Sequence, residues 1–266
     1  IGLVFFIVIV AFPFYWMIVS SFKSLEELLL TPSNLWIDFS KVNFHAYFEV
    51  LFKHGFIRYI INSTYVSLVT VVLSVTLATI GGYAVTRLHF RGQSFMSLGI
   101  LLIYMFPAIV LVIPLYVIFS KFGLRDSINV LILVYLAQTL PVALYMLRSY
   151  FLTLPQEMEY AGLTDGCTRF GVIWRIVIPL SAPALASVAL YTFMIAWNEF
   201  LYALVFLNSR DLFTMPIKIN TIFNDPSPRP HVVMAASTIM TIPVITLFLA
   251  MERFLEEGLT AGGVKG

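Results

Sequence analysis

An all-α membrane protein of six transmembrane helices is the fold class this sequence predicts, and three observations predict it. Hydrophobic residues make up 60% of the chain and charged residues only 11%, against about 25% charged in a soluble domain. Six charge-free runs, Ile1–Phe22, Tyr59–Thr86, Gly92–Ser120, Ser127–Leu147, Ile176–Asn198 and Val232–Met251, approach or exceed the about 20 apolar residues that a helix needs to cross the bilayer core. The runs do not alternate: "LVTVVLSVTLATI" has no period of two, which argues against a spanning β-barrel, the other architecture that satisfies its backbone in lipid.

The elements follow in order. The opening "IGLVFFIVIVAFPFYWMIVSSF" lacks a basic leading region and an A-x-A-like cleavage site, so it reads as a first span at 1–22 rather than a signal peptide. Ile rather than Met at position 1 predicts further residues upstream. The next segment, "FKSLEELLLTPSNLWIDFSKVNFHAYFEVLFKHGFIR", carries Pro, Asn and scattered charges, which predict short surface helices and loop. Spans two (59–86) and three (92–120) are joined by the tight turn "RLHFRG", and spans three and four (127–147) by "KFGLRDS". A semi-polar segment at 154–179 separates span four from span five, placed at 180–207. A Pro-rich loop leads to span six at 232–251, and a tail occupies 252–266. With no internal repeat, the whole of 1–266 reads as one transmembrane domain.

Six spans put both termini, the turn between spans two and three, and the 154–179 segment on one side. Lys and Arg number seven there and nine on the other side, so the positive-inside rule does not orient the chain. Pro107, Pro114, Pro141, Pro243 and the Gly81-Gly82 pair allow kinks and close helix approach within the spans.

Other classes of function are excluded or weakened. A net charge of +2 with no basic tract does not indicate a nucleic-acid partner. The single cysteine, Cys167, excludes an intrachain disulfide and a cysteine-based metal cluster. His45, His54, His89 and His231 fall in loops with no metal-ligand spacing, so no catalytic residue and no metal site is expected. No G-x-x-x-x-G-K-[ST] phosphate loop occurs, so the chain has no ATP site of its own.

The most informative stretch is "LPQEMEYAGLTDGCTRFGVIWRIVIPLSAP", Leu154 to Pro183. Pro155 suits a helix start, and Glu157 and Glu159 in the first turn suit the helix dipole. Asp165-Gly166 marks a turn. From Thr168 a second helical pattern begins, with Phe170, Ile173 and Trp174 on an apolar face. Pattern alone leaves open whether this is an ordinary amphipathic loop or a docking element.

The segment resembles the signature loop of binding-protein-dependent ABC importer permeases, roughly E-E-A-A-x-x-D-G-A followed by I-x-L-P. Glu159, Ala161, Asp165, Gly166, Ile176 and Pro179 match, with Ile178 at the Leu position; Tyr160, Gly162 and Cys167 depart from the pattern. The resemblance narrows to the MalG-like permeases of carbohydrate importers through "INSTYVSLVTVVLSVTLATIGGYAVTRLHFRG", "MFPAIVLVIPLYVIFSKFGLRDS", "FMIAWNEFLYAL" and the tail "GLTAGGVKG".

The resemblance implies a passive pathway subunit of an ATP-driven sugar importer in a prokaryotic inner membrane, with both termini cytoplasmic. It implies a second homologous permease, two ATPase subunits (identical or different) that bind ATP and magnesium, and an extracytoplasmic sugar-binding protein. Glu159, Tyr160, Ala161, Gly162, Asp165, Gly166 and Pro179 would form a coupling helix in a groove on an ATPase. Gly262, Gly263 and Lys265 in the tail would reach the ATPase interface.

Asn62, Thr64, Gln138, Asn198 and Glu199 are candidates for the substrate path. Glu199 is the one carboxylate inside an apolar stretch, where a central charge costs about 2.5–3.5 kcal/mol. It either lines a cavity or gate, or pairs with a polar neighbour and fixes packing. The amides and hydroxyls suit a sugar's hydroxyl network or helix–helix hydrogen bonds. An ion-gradient-driven secondary transporter is the alternative, but it would need a relay of intramembrane charges. A membrane-embedded enzyme is the weakest reading.

Overall fold

The computed structural model describes residues 2–31, 34–37, 42–227 and 229–263, and among these every regular element is a helix. Among the described residues, four helices are long and apolar enough to cross a membrane: α1 (Gly2–Ser21), α4 (Phe56–Arg87), α7 (Ile128–Phe151) and the Pro230–Phe254 part of α14 (Pro230–Gly263). A fifth crossing arises if the bent pair Arg169–Leu180 and Ala182–Asn198 counts as one. Between these lie α2 (Leu25–Leu30), α3 (His45–Phe48), α5 (Gln93–Tyr104), α6 (Val112–Lys121), α8 (Gln156–Thr164), α9 (Arg169–Val172), α10 (Ile178–Leu180), α11 (Ala182–Asn198), α12 (Leu201–Phe206) and α13 (Met215–Phe223).

The expected third span at 92–120 is not one helix. α5 ends at Tyr104, Pro107 is extended, and a 3₁₀ turn at Ala108–Leu111 leads into α6. Proline lacks a backbone donor, clashes with the preceding turn and pushes the residue before it out of the helical region. An uncharged run therefore did not make a continuous span. The fifth span, expected at 180–207, is also broken, because Glu199 is extended (φ −68°, ψ 125°) between α11 and α12. Pro141 and Pro243, by contrast, lie inside α7 and α14 without ending them, as lipid-embedded helices tolerate.

The chain packs as two compact units, Ile1–Ser63 with Leu207–Thr246 and Thr64–Phe206 with Leu247–Gly266. In the first, α1 keeps nearly all its apolar side chains exposed and buries only Val19, Ser20 and Ser21 at its end. Ser24 caps α2 by accepting the Glu27 N–H. α3 runs directly into a π-helical turn at Glu49–Lys53.

The second unit has a core of Ala78 and Tyr83 from α4, Ala143, Leu147 and Phe151 from α7, Val172, Ile173 and Val177 from the segment after Thr168, and Val188 from α11. α4 and α7 approach closely: a Cβ on Gly81 would lie 2.8 Å from Leu144 Cδ2. The 154–180 segment is thus part of the core of its unit.

Candidate functional site

Residues 154–181 fold by local rules. Pro155 is the N-cap of α8, and Glu157 and Glu159 fill the first turn. The helix stops through a Schellman motif. Gly166 takes φ +85°, its N–H donates to Leu163 O at 3.1 Å, and the Cys167 N–H donates to Gly162 O at 3.0 Å. The pair of bonds satisfies carbonyls that the helix end would orphan, and only glycine adopts that φ without strain. Thr168 then accepts the Gly171 N–H at 3.1 Å and starts α9. A π-helical turn at Ile173–Val177 joins α9 to α10, and the axis then turns by 81° into α11. If α11 crosses the bilayer near its normal, the 169–180 helix lies close to the membrane plane.

Tertiary contacts fasten α8 from inside. Arg87, in the last turn of α4, donates from Nε to Glu159 Oε1 at 2.7 Å and from Nη2 to Leu154 O at 2.9 Å. Tyr83, one turn earlier, donates its hydroxyl to Glu159 Oε2 at 3.0 Å. The two charged side chains are only 6% and 9% exposed, so this ion pair is shielded from water and salt. His89 and Arg169 line the same recess. Gly162 faces Val172 and Ile176 so closely that an added Cβ would overlap Ile176 Cδ1. α8 is thus clamped to α4 at one point and packed onto the next helix at another.

The candidate coupling residues divide accordingly. Glu159 and Gly162 face inward. Tyr160, 60% exposed, together with Ala161, Asp165, Gly166 and Pro179, faces outward. Phe170 and Trp174 are exposed on the following helix, beside an apolar groove of about 200 Å³ that Val75, Thr79 and Ile80 of α4 also line. Of the tail candidates, Gly262 and Gly263 end α14, whereas Lys265 lies outside the described residues.

The substrate-path candidates occupy separate settings. In the first unit, Asn62 Nδ2 donates to Asp211 O at 2.9 Å and Phe213 O at 3.0 Å, so its amide holds the chain ahead of α13. In the second unit, Thr64 is half-buried on α4. Gln138 Oε1 is buried on α7 with no hydrogen-bond partner among the described residues. Asn198 is exposed and bonds back to Met194 O. Glu199 accepts the N–H groups of Tyr202 (2.9 Å) and Ala203 (3.1 Å), which makes it the cap of α12. That geometry favours the structural reading of this acid.

Sequence reasoning missed two clusters. In the sequence, Tyr83 and Arg87 read as the end of a span and the start of a turn. In the first unit, buried Glu49 pairs with Arg229 and lies 3.7 Å from His45 Nδ1 and 3.8 Å from His54 Nε2. The signal available for both was a charge beside an apolar run, since such a charge needs a partner. No metal-binding group of His, Cys, Asp or Glu occurs among the described residues.

Residues 70–261 match the family described as binding-protein-dependent transport system inner membrane component. Over the full chain and 95% of the relative, this sequence is 40% identical to the inner membrane ABC transporter permease protein YcjP of Escherichia coli K12. It is 36% identical, with the same coverage, to the trehalose/maltose transport system permease protein MalG of Thermococcus litoralis. Its fold is similar to that of a chain in the crystal structure of a bacterial ABC transporter that imports the acidic polysaccharide alginate, with a TM-score of 0.84 at 22% identity over 94% of this chain and 92% of the other. This chain therefore belongs to the family of binding-protein-dependent transport system inner membrane components.

Proposed function

We propose that this chain is a permease subunit of an ATP-driven sugar importer and that α8 is its coupling helix. The relatives' names, a trehalose/maltose permease and an arabinooligosaccharide permease among them, support a carbohydrate cargo. Membership of the family makes the chain a transport component rather than a catalytic subunit. It implies a partner ATPase and a substrate-binding protein. ATP and its magnesium would be held by two such ATPases, and a second permease would complete the pathway.

The observation that carries the coupling role is the division of α8 into two faces. Its outward face offers Tyr160, Ala161 and Asp165 to a partner, while Glu159 is locked to Arg87 and Tyr83. A push on the outer face is thereby delivered to the end of α4 through a buried ion pair, and to α11 through the packed 169–180 helix. We place α8 and both termini on the cytoplasmic side, count the broken 92–120 and 180–207 segments as full crossings of a six-span bundle, and assign the tail at Gly262, Gly263 and Lys265 to the ATPase interface. Gln138, with its unpartnered oxygen, and exposed Asn198 remain the best residues for a sugar's hydroxyl groups. With Glu199 spent as a cap, nothing favours an ion-gradient mechanism.

The test is ATP turnover by the co-expressed complex in lipid nanodiscs, with and without loaded binding protein, for the parent and for Gly166→Pro. Proline holds φ near −65° and has no N–H, so it cannot adopt the Gly166 conformation or make the bond to Leu163 O. Stimulation by binding protein should vanish in a variant that still co-purifies with its partners. Normal stimulation in that variant would refute the coupling role.

A further inference from the structure

In the first unit, two cations converge on one cavity. Lys218 from α13 and Arg210 from the 3₁₀ turn Arg210–Leu212 line a space of about 370 Å³ together with Tyr59, Thr221, Asn224 and Asp225. The Lys218 ammonium lies 5.3 Å from the centroid of the Tyr59 ring, a cation–π distance that fixes its position.

The nearby carboxylates neutralise the pair only in part. Asp211 is committed to Arg58 at 2.9 Å. Asp225 Oδ1 accepts the Ser227 N–H at 2.9 Å. No ion pair to Lys218 or Arg210 occurs among the described residues. Burial, then the Arg210 charge, pushes the Lys218 pKa down, the direction expected when like charges share a partly desolvated recess. The other donors are used locally: the Thr221 hydroxyl bonds to Ile217 O and the Asn224 amide to Asn220 O. The lining therefore carries two cations against the single carboxylate of Asp225, a net positive charge that favours an anion over a neutral hydroxyl compound.

We propose that this cavity binds a small anionic group, a carboxylate or phosphate carried by a solute of about monosaccharide size. The volume is within the range of small-molecule sites. An anion there would pair with both cations and offset their mutual repulsion. The proposal goes beyond the transport reading and does not depend on it, because its test needs no ATPase activity.

The experiment is calorimetric titration of the intact protein in nanodiscs with glucuronate, with glucose as its neutral counterpart, and with inorganic phosphate. Glucuronate should bind saturably and glucose should not. Exposed Arg210→Gln should weaken binding at least about tenfold, the scale of one charge-assisted hydrogen bond. Lys218→Met should abolish binding while Lys218→Arg retains it. Tighter binding of glucuronate than of phosphate would identify an acidic sugar as the occupant, and equal binding would identify a free anion. Absence of saturable binding by either anion, or affinity unchanged in both Arg210→Gln and Lys218→Met, would overturn the proposal.

Discussion

Replacing Arg87 with methionine keeps most of the side-chain volume and removes the cation from the α4–α8 clamp. Glu159 then stays buried with the Tyr83 hydroxyl at 3.0 Å as its one remaining hydrogen-bond partner among the described residues, and with Arg169 lining the same recess. Breaking a buried pair from one side costs about 3–5 kcal/mol, and the surviving hydrogen bond to a charged group retains about 1.5–3 kcal/mol of interaction. The lower end, about 3 kcal/mol, is therefore expected.

α8 has nine residues, too few to hold a helix by propensity alone, so most of that cost should appear as local opening. At about 1.4 kcal/mol per factor of ten, amide exchange across Gln156–Thr164 should speed up about a hundredfold in nanodiscs. Arg87→Met combined with Glu159→Leu leaves no buried charge and should recover most of the protection, because the two changes are coupled. If exchange in α8 is unaltered by Arg87→Met, or if the double variant loses the sum of the single losses, the clamp does not hold α8.

Three further outcomes are expected. Gly162→Ala forces Ile176 aside and should lower the thermal midpoint by an overpacking cost of about 1–3 kcal/mol, with Ile176→Val, which lacks the offending Cδ1, restoring it; a neutral Gly162→Ala would show that the contact is loose. Glu199→Ala should destabilise by about 1–2 kcal/mol through loss of the α12 cap, while Glu199→Gln keeps sugar uptake near the parental level; abolished uptake with an intact fold would instead make Glu199 a path residue. His54 is held below its ordinary value of 6.5 by burial and then by Lys218, with Arg229 acting the same way and Glu49 and Asp225 opposing. The folded chain therefore binds fewer protons than the unfolded one as pH drops below 6.5. Stability should fall through that window and level off under the depressed value, and His54→Gln should flatten the slope of midpoint against pH; a slope unchanged by the substitution would exclude His54 as the sensor.

Much of the site was legible because its signals are local. Pro155, the first-turn acids, Asp165-Gly166 and Thr168 each act within four residues, and each stands in the structure where those rules put it. The breaks at Pro107 and Glu199 were harder to read. Apolar runs report solubility in lipid but not helix continuity, and Pro141 and Pro243 sit within intact helices while Pro107 ends one. What differs is whether the surrounding backbone can recover the lost bond, and that depends on neighbours distant in sequence.

By itself, then, the sequence determined the solvent this chain lives in, its helical class and the local architecture of the 154–181 segment, since these follow from composition and from contacts a few residues apart. Only the tertiary structure decided which way the signature acid faces. Glu159 and Arg87 are 72 residues apart, and nothing in either neighbourhood names the other. Their pairing is selected because a carboxylate buried by the fold must find a cation, and the packing of α4 against α7 and α8 puts one within reach.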